Sequence, residues 1–100
     1  RLRMANASRT KPNEIRIRKE RFEICSLVGT LEYIPQEKAA SCHLHLGLSD
    51  LDGNFFGGHL MDGCKIFTTA EVVLLELPNL RFTRPYDAAT GFPELAVHKA

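Results

Sequence analysis

The chain has 100 residues, 44% of them hydrophobic, and its 13 basic and 12 acidic side chains leave a formal net charge of +1. The balanced charge excludes a bulk attraction to phosphate or to anionic lipid, and the hydrophobic content excludes a disordered chain. No apolar run approaches the ~20 residues that a membrane-spanning helix needs. We therefore predict one globular domain over residues 1–100, small enough to be helped by oligomerisation.

The first part of the chain predicts short strands, because polar and apolar residues alternate in it. We predict strands at residues 2–5 and 14–19, separated by a turn at residues 7–13 that is rich in Ser, Thr, Pro and Asn. Residues 21–31 predict a longer strand. Both of its faces are largely apolar, so we expect it to be covered on both sides.

Strict alternation returns at residues 41–48, where aliphatic side chains take one face and His43 and His45 take the other. The Asp-Gly pair at residues 52–53 is a strong hairpin signal. A short strand at residues 54–56 follows it. This part of the sequence therefore predicts two antiparallel neighbours joined by a tight turn.

The second half of the chain contains one ambiguous segment, residues 64–77. Its apolar spacing fits a helical face, but its β-branched and aromatic content favours a strand, which is our prediction. Short strands follow at residues 81–84 and 95–98, with a loop at residues 85–93 between them. Together the elements predict a mostly antiparallel sheet of five to seven strands with little helix.

The three cysteines are odd in number, widely spaced and without a CxxC pair. They predict reduced, mostly buried thiols of an intracellular protein, which would be cytoplasmic in a prokaryote. The alternative is that one of them belongs to a metal site. The three residues are Cys25, Cys42 and Cys64.

Three of the four histidines come close together in the predicted sheet. His43 and His45 are alternate residues of one strand, so they project from the same face about 7 Å apart. The Asp-Gly turn brings the next strand back beside the first, and the Gly-Gly pair at residues 57–58 permits the backbone to bend just before His59. We therefore predict that these three imidazoles converge on one divalent metal ion.

Three neutral imidazoles with an open fourth position are the ligand set of a catalytic zinc site. Zinc is accordingly the expected ion, with nickel, copper and iron as alternatives. Glu71 and Asp62 are the candidate supporting carboxylates, and Glu71 is the candidate catalytic residue, as a proton shuttle. The other interpretation is that the histidines line a subunit contact without any metal.

Basic residues near the amino end are the candidates for nucleic-acid binding. The alternative is an ordinary solvated strand face. Because the net charge is close to zero, we expect weak binding to DNA at most. The four candidates are Arg16, Arg18, Lys19 and Arg21.

Four segments carry a resemblance to a known family. They read FEICSLVGTL, HLHLGLSDLDGNFFGGHL, GCKIFTTAEVVLLE and RFTRPYDAATGFPEL, and they occur in this order from residue 22 to residue 95. The chain resembles the PPC domain (plants and prokaryotes conserved) in its prokaryotic, single-domain form, over most of its length.

The resemblance implies an α+β fold built on an antiparallel sheet, a homotrimer, and an amino-terminal strand or helix that would precede residue 1. Prokaryotic-type members carry the histidine set that stands here at His43, His45 and His59. The family's domain assembles subunits and recruits other regulatory proteins. In plant members it follows a DNA-binding AT-hook, whose Arg-Gly-Arg-Pro core does not occur in this sequence.

Three hypotheses for function follow. The first is a trimeric assembly or regulatory module with a three-histidine metal site. The second is a DNA-binding, transcription-associated protein, which rests on family analogy. The third is a zinc-dependent enzyme, hydrolase or decarboxylase-like, on a small carbonyl or ester substrate, because the family's fold is similar to that of acetolactate decarboxylase and of a zinc-containing ester hydrolase. The lack of a recognisable catalytic base favours the first hypothesis.

Overall fold

The computed structural model describes residues 1–4, 15–16 and 19–100, with the backbone alone at 15–16. All the regular elements in these residues are β-strands, so the antiparallel sheet is confirmed while the helical part of the predicted α+β class is not. None of these residues lies in a helix long and apolar enough to cross a membrane. The strands are β1 (Leu2–Arg3), β2 (Ile15–Arg16), β3 (Glu23–Ile34), β4 (Ala39–Ser49), β5 (Phe55–Leu60), β6 (Leu80–Thr83), β7 (Tyr86–Asp87), β8 (Phe92–Pro93) and β9 (Ala96–Lys99).

The main sheet has five strands in the order β2-β1-β5-β4-β3, within the predicted range. Two separate ribbons, β6-β9 and β7-β8, add four short strands in the described part of the chain. The chain divides into two compact units, one of Arg1–Gly29 with His43–Ala70 and one of Thr30–Cys42 with Glu71–Ala100. The prediction of a single domain stays a prediction.

Three expectations from the sequence are wrong in detail. Residues 64–77 form no strand, because β-propensity reflects fit to a pleated, half-buried surface, and this segment finds no strand partner in the described chain. The predicted loop at residues 85–93 contains the short pair β7 and β8. The strand β3 is mostly exposed rather than covered on both faces. The predicted turn at residues 7–13 lies outside the described residues.

The cysteines are free, as predicted, but all three are exposed rather than buried. Cys64 lies beside Arg1, whose amino nitrogen is 3.4 Å from the cysteine sulfur. Because the three thiols are exposed, their burial cannot be used to argue that the protein is intracellular.

The core of the first unit lies on the sheet face opposite to the histidines. Leu2 on β1 and Leu46 on β4 are buried, with 4% and 8% of their surface exposed. Gly58 on β5 lies between them: it is paired with Leu46, and a methyl group built on it would lie 3.4 Å from Leu2 Cβ. Gly58 on the middle strand thus leaves space for the leucines of the two flanking strands to be buried.

The hairpin between β4 and β5 is organised by one aspartate. The Asp50 carboxylate accepts hydrogen bonds from the backbone N–H groups of Asp52 at 3.0 Å and Asn54 at 2.8 Å. Gly53 has a φ of 79°, a conformation that glycine adopts without strain. The predicted Asp-Gly turn is thereby confirmed.

The glycines at residues 57–58 have another role than the predicted bend. Both lie inside the continuous strand β5, and neither has a positive φ. A side chain at Gly57 would overlap the carbonyl oxygen of Leu46, and one at Gly58 would lie 2.8 Å from the carbonyl oxygen of Arg3. These glycines therefore permit the close approach of neighbouring backbones, and the pairing of the strands aims His59.

Gly29 lies on β3, which is next to the histidine strand β4 on the side opposite to β5. We expect Gly29→Ala to destabilise the protein. The added methyl group would overlap the carbonyl oxygen of His43 and lie 2.8 Å from Leu44 Cα, so backbone must move. Overpacking of this kind costs about 1–3 kcal/mol, or roughly 4–20 °C in the melting temperature of a domain this small. Thermal unfolding followed by circular dichroism measures the shift.

The matched control for this prediction is Gly53→Asn. Gly53 has nothing within 4 Å of a Cβ built on it, and asparagine tolerates its left-handed conformation. We expect the control to change the melting temperature by only a few degrees. Equal losses in the two variants would contradict the close-packing account of Gly29.

The second unit contains a buried ion pair. The Glu32 side chain is fully buried, and its Oε1 accepts a hydrogen bond of 2.6 Å from Arg84 Nε. Arg84 Nη2 also donates to Thr30 Oγ1 at 2.8 Å. Oε2 of Glu32 has no hydrogen-bond partner in the described residues. Arg84 is therefore the cation that makes burial of this carboxylate tolerable.

Candidate metal centre

Strand geometry brings the three histidines to one face of the sheet. His43 and His45 are alternate residues of β4, so their side chains share a face. His59 on β5 is paired directly with His45, and opposite residues of an antiparallel pair also share a face. The register of two strands therefore sets the position of all three rings.

The imidazoles are close enough to share one ion. One ring nitrogen from each lies within 4.8 Å of the others. The ring centroids are 5.2 Å apart for His43 and His45, 4.8 Å for His43 and His59, and 5.6 Å for His45 and His59. The structure thus brings the three predicted residues together, whereas their binding of metal stays a prediction.

The donor set fits a divalent transition-metal ion. A tetrahedral zinc ion with bonds of about 2.0–2.1 Å holds its ligand nitrogens about 3.4 Å apart. Side-chain rotations that move each ring nitrogen by about an ångström would bring the nitrogens from within 4.8 Å of one another to this distance. In the described part of the chain no cysteine or carboxylate joins the group, so a tetrahedral ion held by the three imidazoles would keep one coordination position open. His45 is exposed, which makes that face accessible.

Neither of the predicted supporting carboxylates belongs to the converging group among the described residues. Asp62 forms an ion pair with Arg1 at 3.2 Å, and it is absent from the group of converging ligand atoms. Glu71 is exposed and lies in the second unit. A catalytic role for Glu71 stays a prediction. No cysteine belongs to this group among the described residues, and the alternative that one of them is a metal ligand stays a prediction.

The basic residues near the amino end are only partly described. Arg16 lies in β2, without a description of its side chain, and Arg18 lies outside the described residues. Lys19 and Arg21 are exposed, and the Arg21 guanidinium lies 4.3 Å from the centroid of the Phe67 ring. This cation–π contact gives Arg21 a structural role. A role of these residues in binding DNA stays a prediction.

The histidine face also carries one residue that the sequence does not predict there, Arg3. Arg3 on β1 is paired directly with His59 on β5, so a cation stands in the same row as two of the imidazoles. The alternation of Leu2, Arg3 and Met4 indicates the face that Arg3 takes. Nothing local in the sequence indicates that β1 pairs with β5, because these strands are more than fifty residues apart.

An antiparallel sheet that presents three converging imidazoles on one face defines a small β-domain with a candidate metal centre. The chain belongs to the Plants and Prokaryotes Conserved (PCC) domain family, whose model matches residues 2–78. This match covers most of the chain and confirms the resemblance that the sequence carries.

Two curated relatives extend the comparison. The chain is 47% identical over 78 residues to a protein named "Bifunctional protein GlmU" from Synechococcus sp. (strain JA-2-3B'a(2-13)). It is 46% identical over 80 residues to the protein of the same name from Synechococcus sp. (strain JA-3-3Ab). These matches cover 78% and 80% of this chain but only 11% and 12% of the relatives. No solved structure matches the chain significantly.

Proposed function

We propose that this domain is a metal-binding module that holds one divalent ion on His43, His45 and His59. The observation that carries the proposal is the convergence of three imidazole nitrogens within 4.8 Å. Imidazole ligands suit zinc, which at an open site acts as a Lewis acid toward a ligand oxygen. The relatives support the interpretation as a module, because the matched region is about a tenth of their length.

Elemental analysis tests this proposal most directly. The purified protein is incubated with excess zinc, freed of unbound ion by gel filtration and analysed by inductively coupled plasma mass spectrometry. We expect close to one zinc ion per chain. A protein that retains less than about a tenth of an equivalent would overturn the proposal, since three convergent imidazoles bind zinc far more tightly than scattered surface histidines do.

We also propose that the module works as an assembly of identical copies, a trimer as the family resemblance implies. The support is a largely apolar stretch in the second unit, residues 72–77, which has one charged residue, Glu76, and lies outside the strands of the described chain. Val73 is 97% exposed and Leu75 is 84% exposed. Contiguous apolar surface of this kind is typical of a surface that another chain covers.

A charge placed in this stretch should separate the copies. We expect the unmodified protein to sediment at three times the 11.2 kDa of the single chain and Val73→Asp to sediment at or near the single mass. An unpaired carboxylate in an apolar interface costs several kcal/mol, which is more than tenfold in each association step. Analytical ultracentrifugation over a range of concentrations measures the change.

Leu51→Asp serves as the matched control for the assembly experiment. Leu51 is 99% exposed in the turn between β4 and β5. We expect this variant to keep the mass of the unmodified protein. An unmodified protein that stays a monomer at all concentrations, or a Val73→Asp variant that assembles normally, would refute self-assembly through residues 72–77.

A second candidate function is zinc-dependent catalysis on a small carbonyl or ester substrate. The open coordination position on an exposed face supports it, because a substrate oxygen requires such a position. His45→Ala should remove any such turnover. Turnover that survives this substitution would refute the candidate without affecting the metal-binding proposal.

A further inference from the structure

The histidine face of the sheet is bare beside two of the proposed ligands. Along the β4–β5 hairpin the pair His45–His59 is followed by the pair Gly47–Gly57. Alternate residues of a strand share a face, and so do opposite residues of an antiparallel pair, so both glycines belong to the histidine face. Neither contributes a side chain. The face therefore has an open floor next to the imidazoles, on the side of the β4–β5 turn.

An aromatic ring reaches over this floor toward the histidines. Phe55 on β5 is paired with Ser49, one position beyond the glycine pair on the same face. A methyl group built on Gly47 would lie 2.5 Å from Phe55 Cζ and 2.9 Å from Phe55 Cε2. The ring tip thus occupies the place that a side chain at residue 47 would take. Alternate side chains of a strand are about 7 Å apart, so the ring tip lies roughly this far from the side chain of His45.

The ring of Phe55 stays accessible although it covers Gly47. Phe55 is 64% exposed, and Gly57 on the same face is exposed as well. Val28 adds a second exposed apolar side chain, at 70%. It lies on the histidine face, because the Cβ atom of Ser26, two residues earlier on β3, is 3.5 Å from a methyl group built on Gly47. Exposed apolar surface of this kind is stabilised by an apolar group that covers it.

The ring and the open position of the proposed ion lie within reach of one small ligand. We propose that Phe55 is a specificity-determining residue of this site, and that the ligand carries an aromatic or similarly flat apolar group next to its metal-binding oxygen. This inference rests on the proposed metal site. The ion would hold the oxygen, and the flat group would lie over the glycine floor against the exposed ring of Phe55, in an offset-stacked or edge-to-face contact.

Two hydroxamates that differ in one ring test the inference without turnover. Cobalt-substituted protein is titrated with benzohydroxamate, which carries a phenyl ring, and with acetohydroxamate, which carries a methyl group in the same place. The visible absorption of bound Co²⁺ reports the binding of each. For Phe55→Ala we expect benzohydroxamate affinity to fall by about 3- to 30-fold, the range of one aromatic contact with the apolar area that it buries. Acetohydroxamate affinity and the cobalt spectrum without ligand should be unchanged.

Leu51→Ala is the matched control variant. Leu51 is an exposed apolar residue in the turn of the same hairpin, and we expect its loss to leave the affinity for both hydroxamates unchanged. A benzohydroxamate loss as large as that of Phe55→Ala would refute a specific role of the ring. Sedimentation tests whether Phe55 instead forms a subunit contact. We expect Phe55→Ala to keep the mass of the unmodified protein, and a fall from an assembly to the single mass would overturn the inference.

The remaining outcomes separate the inference from the metal-binding proposal. Unchanged benzohydroxamate affinity in Phe55→Ala, or an equal loss for both hydroxamates, would overturn the role of Phe55 and leave the metal site intact. Failure of the unmodified protein to bind cobalt would overturn both. If Phe55→Ala loses cobalt or does not fold, Phe55→Leu is decisive, because leucine keeps apolar volume over Gly47 but lacks the flat ring. The inference then requires weaker benzohydroxamate binding with unchanged acetohydroxamate binding, and any other result refutes it.

Discussion

His59→Ala should reduce zinc affinity by about 100- to 1,000-fold. Structural zinc sites with four ligands bind with about 10–16 kcal/mol, so one ligand contributes roughly 2.5–4 kcal/mol. His59 is the single member of the group on β5, and its loss leaves two imidazoles from the same strand. Competition against a chromophoric zinc chelator at pH 7.5 measures the affinity.

The chain offers a matched control for this substitution. His98 lies on β9 in the second unit, where its Nε2 is 3.0 Å from Thr83 Oγ1, and it is absent from the converging group. His98→Ala removes the same ring from a strand residue, and we expect it to leave zinc affinity unchanged. Equal affinity in His59→Ala and the unmodified protein would contradict the proposed site.

Arg84→Met should destabilise the protein by about 3–5 kcal/mol. The substitution leaves the fully buried Glu32 carboxylate without the cation that donates to its Oε1. Removing one partner of a buried ion pair costs this much because the remaining charge is uncompensated in a medium of low polarity. The described residues offer no hydrogen bond to Oε2, so no second donor reduces the cost. Urea unfolding followed by circular dichroism measures the free energy.

The double variant Glu32→Met, Arg84→Met separates the loss of charge compensation from the loss of packing. Replacing both members of a buried pair by apolar side chains of similar volume is often neutral or stabilising. We expect the double variant to recover most of the stability that Arg84→Met loses. If the double variant is as unstable as the single one, the cost comes from packing around Arg84, and the ion-pair account is wrong.

The sequence predicted the parts of the fold that depend on local pattern. Strict alternation at residues 41–48 correctly placed a strand with His43 and His45 on one face, because side chains alternate along any strand. The Asp-Gly pair correctly predicted the turn that returns β5 beside β4. These two local features were sufficient to bring three histidines together.

The features that the sequence did not predict depend on distant contacts. Residues 72–77 have the composition of a strand, but a strand also needs a partner edge, which local composition does not contain. The row from Arg3 to His59 depends on the pairing of β1 with β5. The Glu32–Arg84 pair joins residues 52 positions apart, and nothing near either residue in the sequence indicates the other.

The pairing of His45 with His59 would make the proposed metal centre a check on correct folding. A slip of β5 by one residue against β4 would turn His59 to the core face and place Leu60 or Gly58 opposite His45. Such a misaligned sheet would still pair its backbone, but it would present only two imidazoles together. An ion that binds the aligned form alone favours it by mass action. Metal bound during folding would therefore favour the correct register of β5 against β4 over a slipped one.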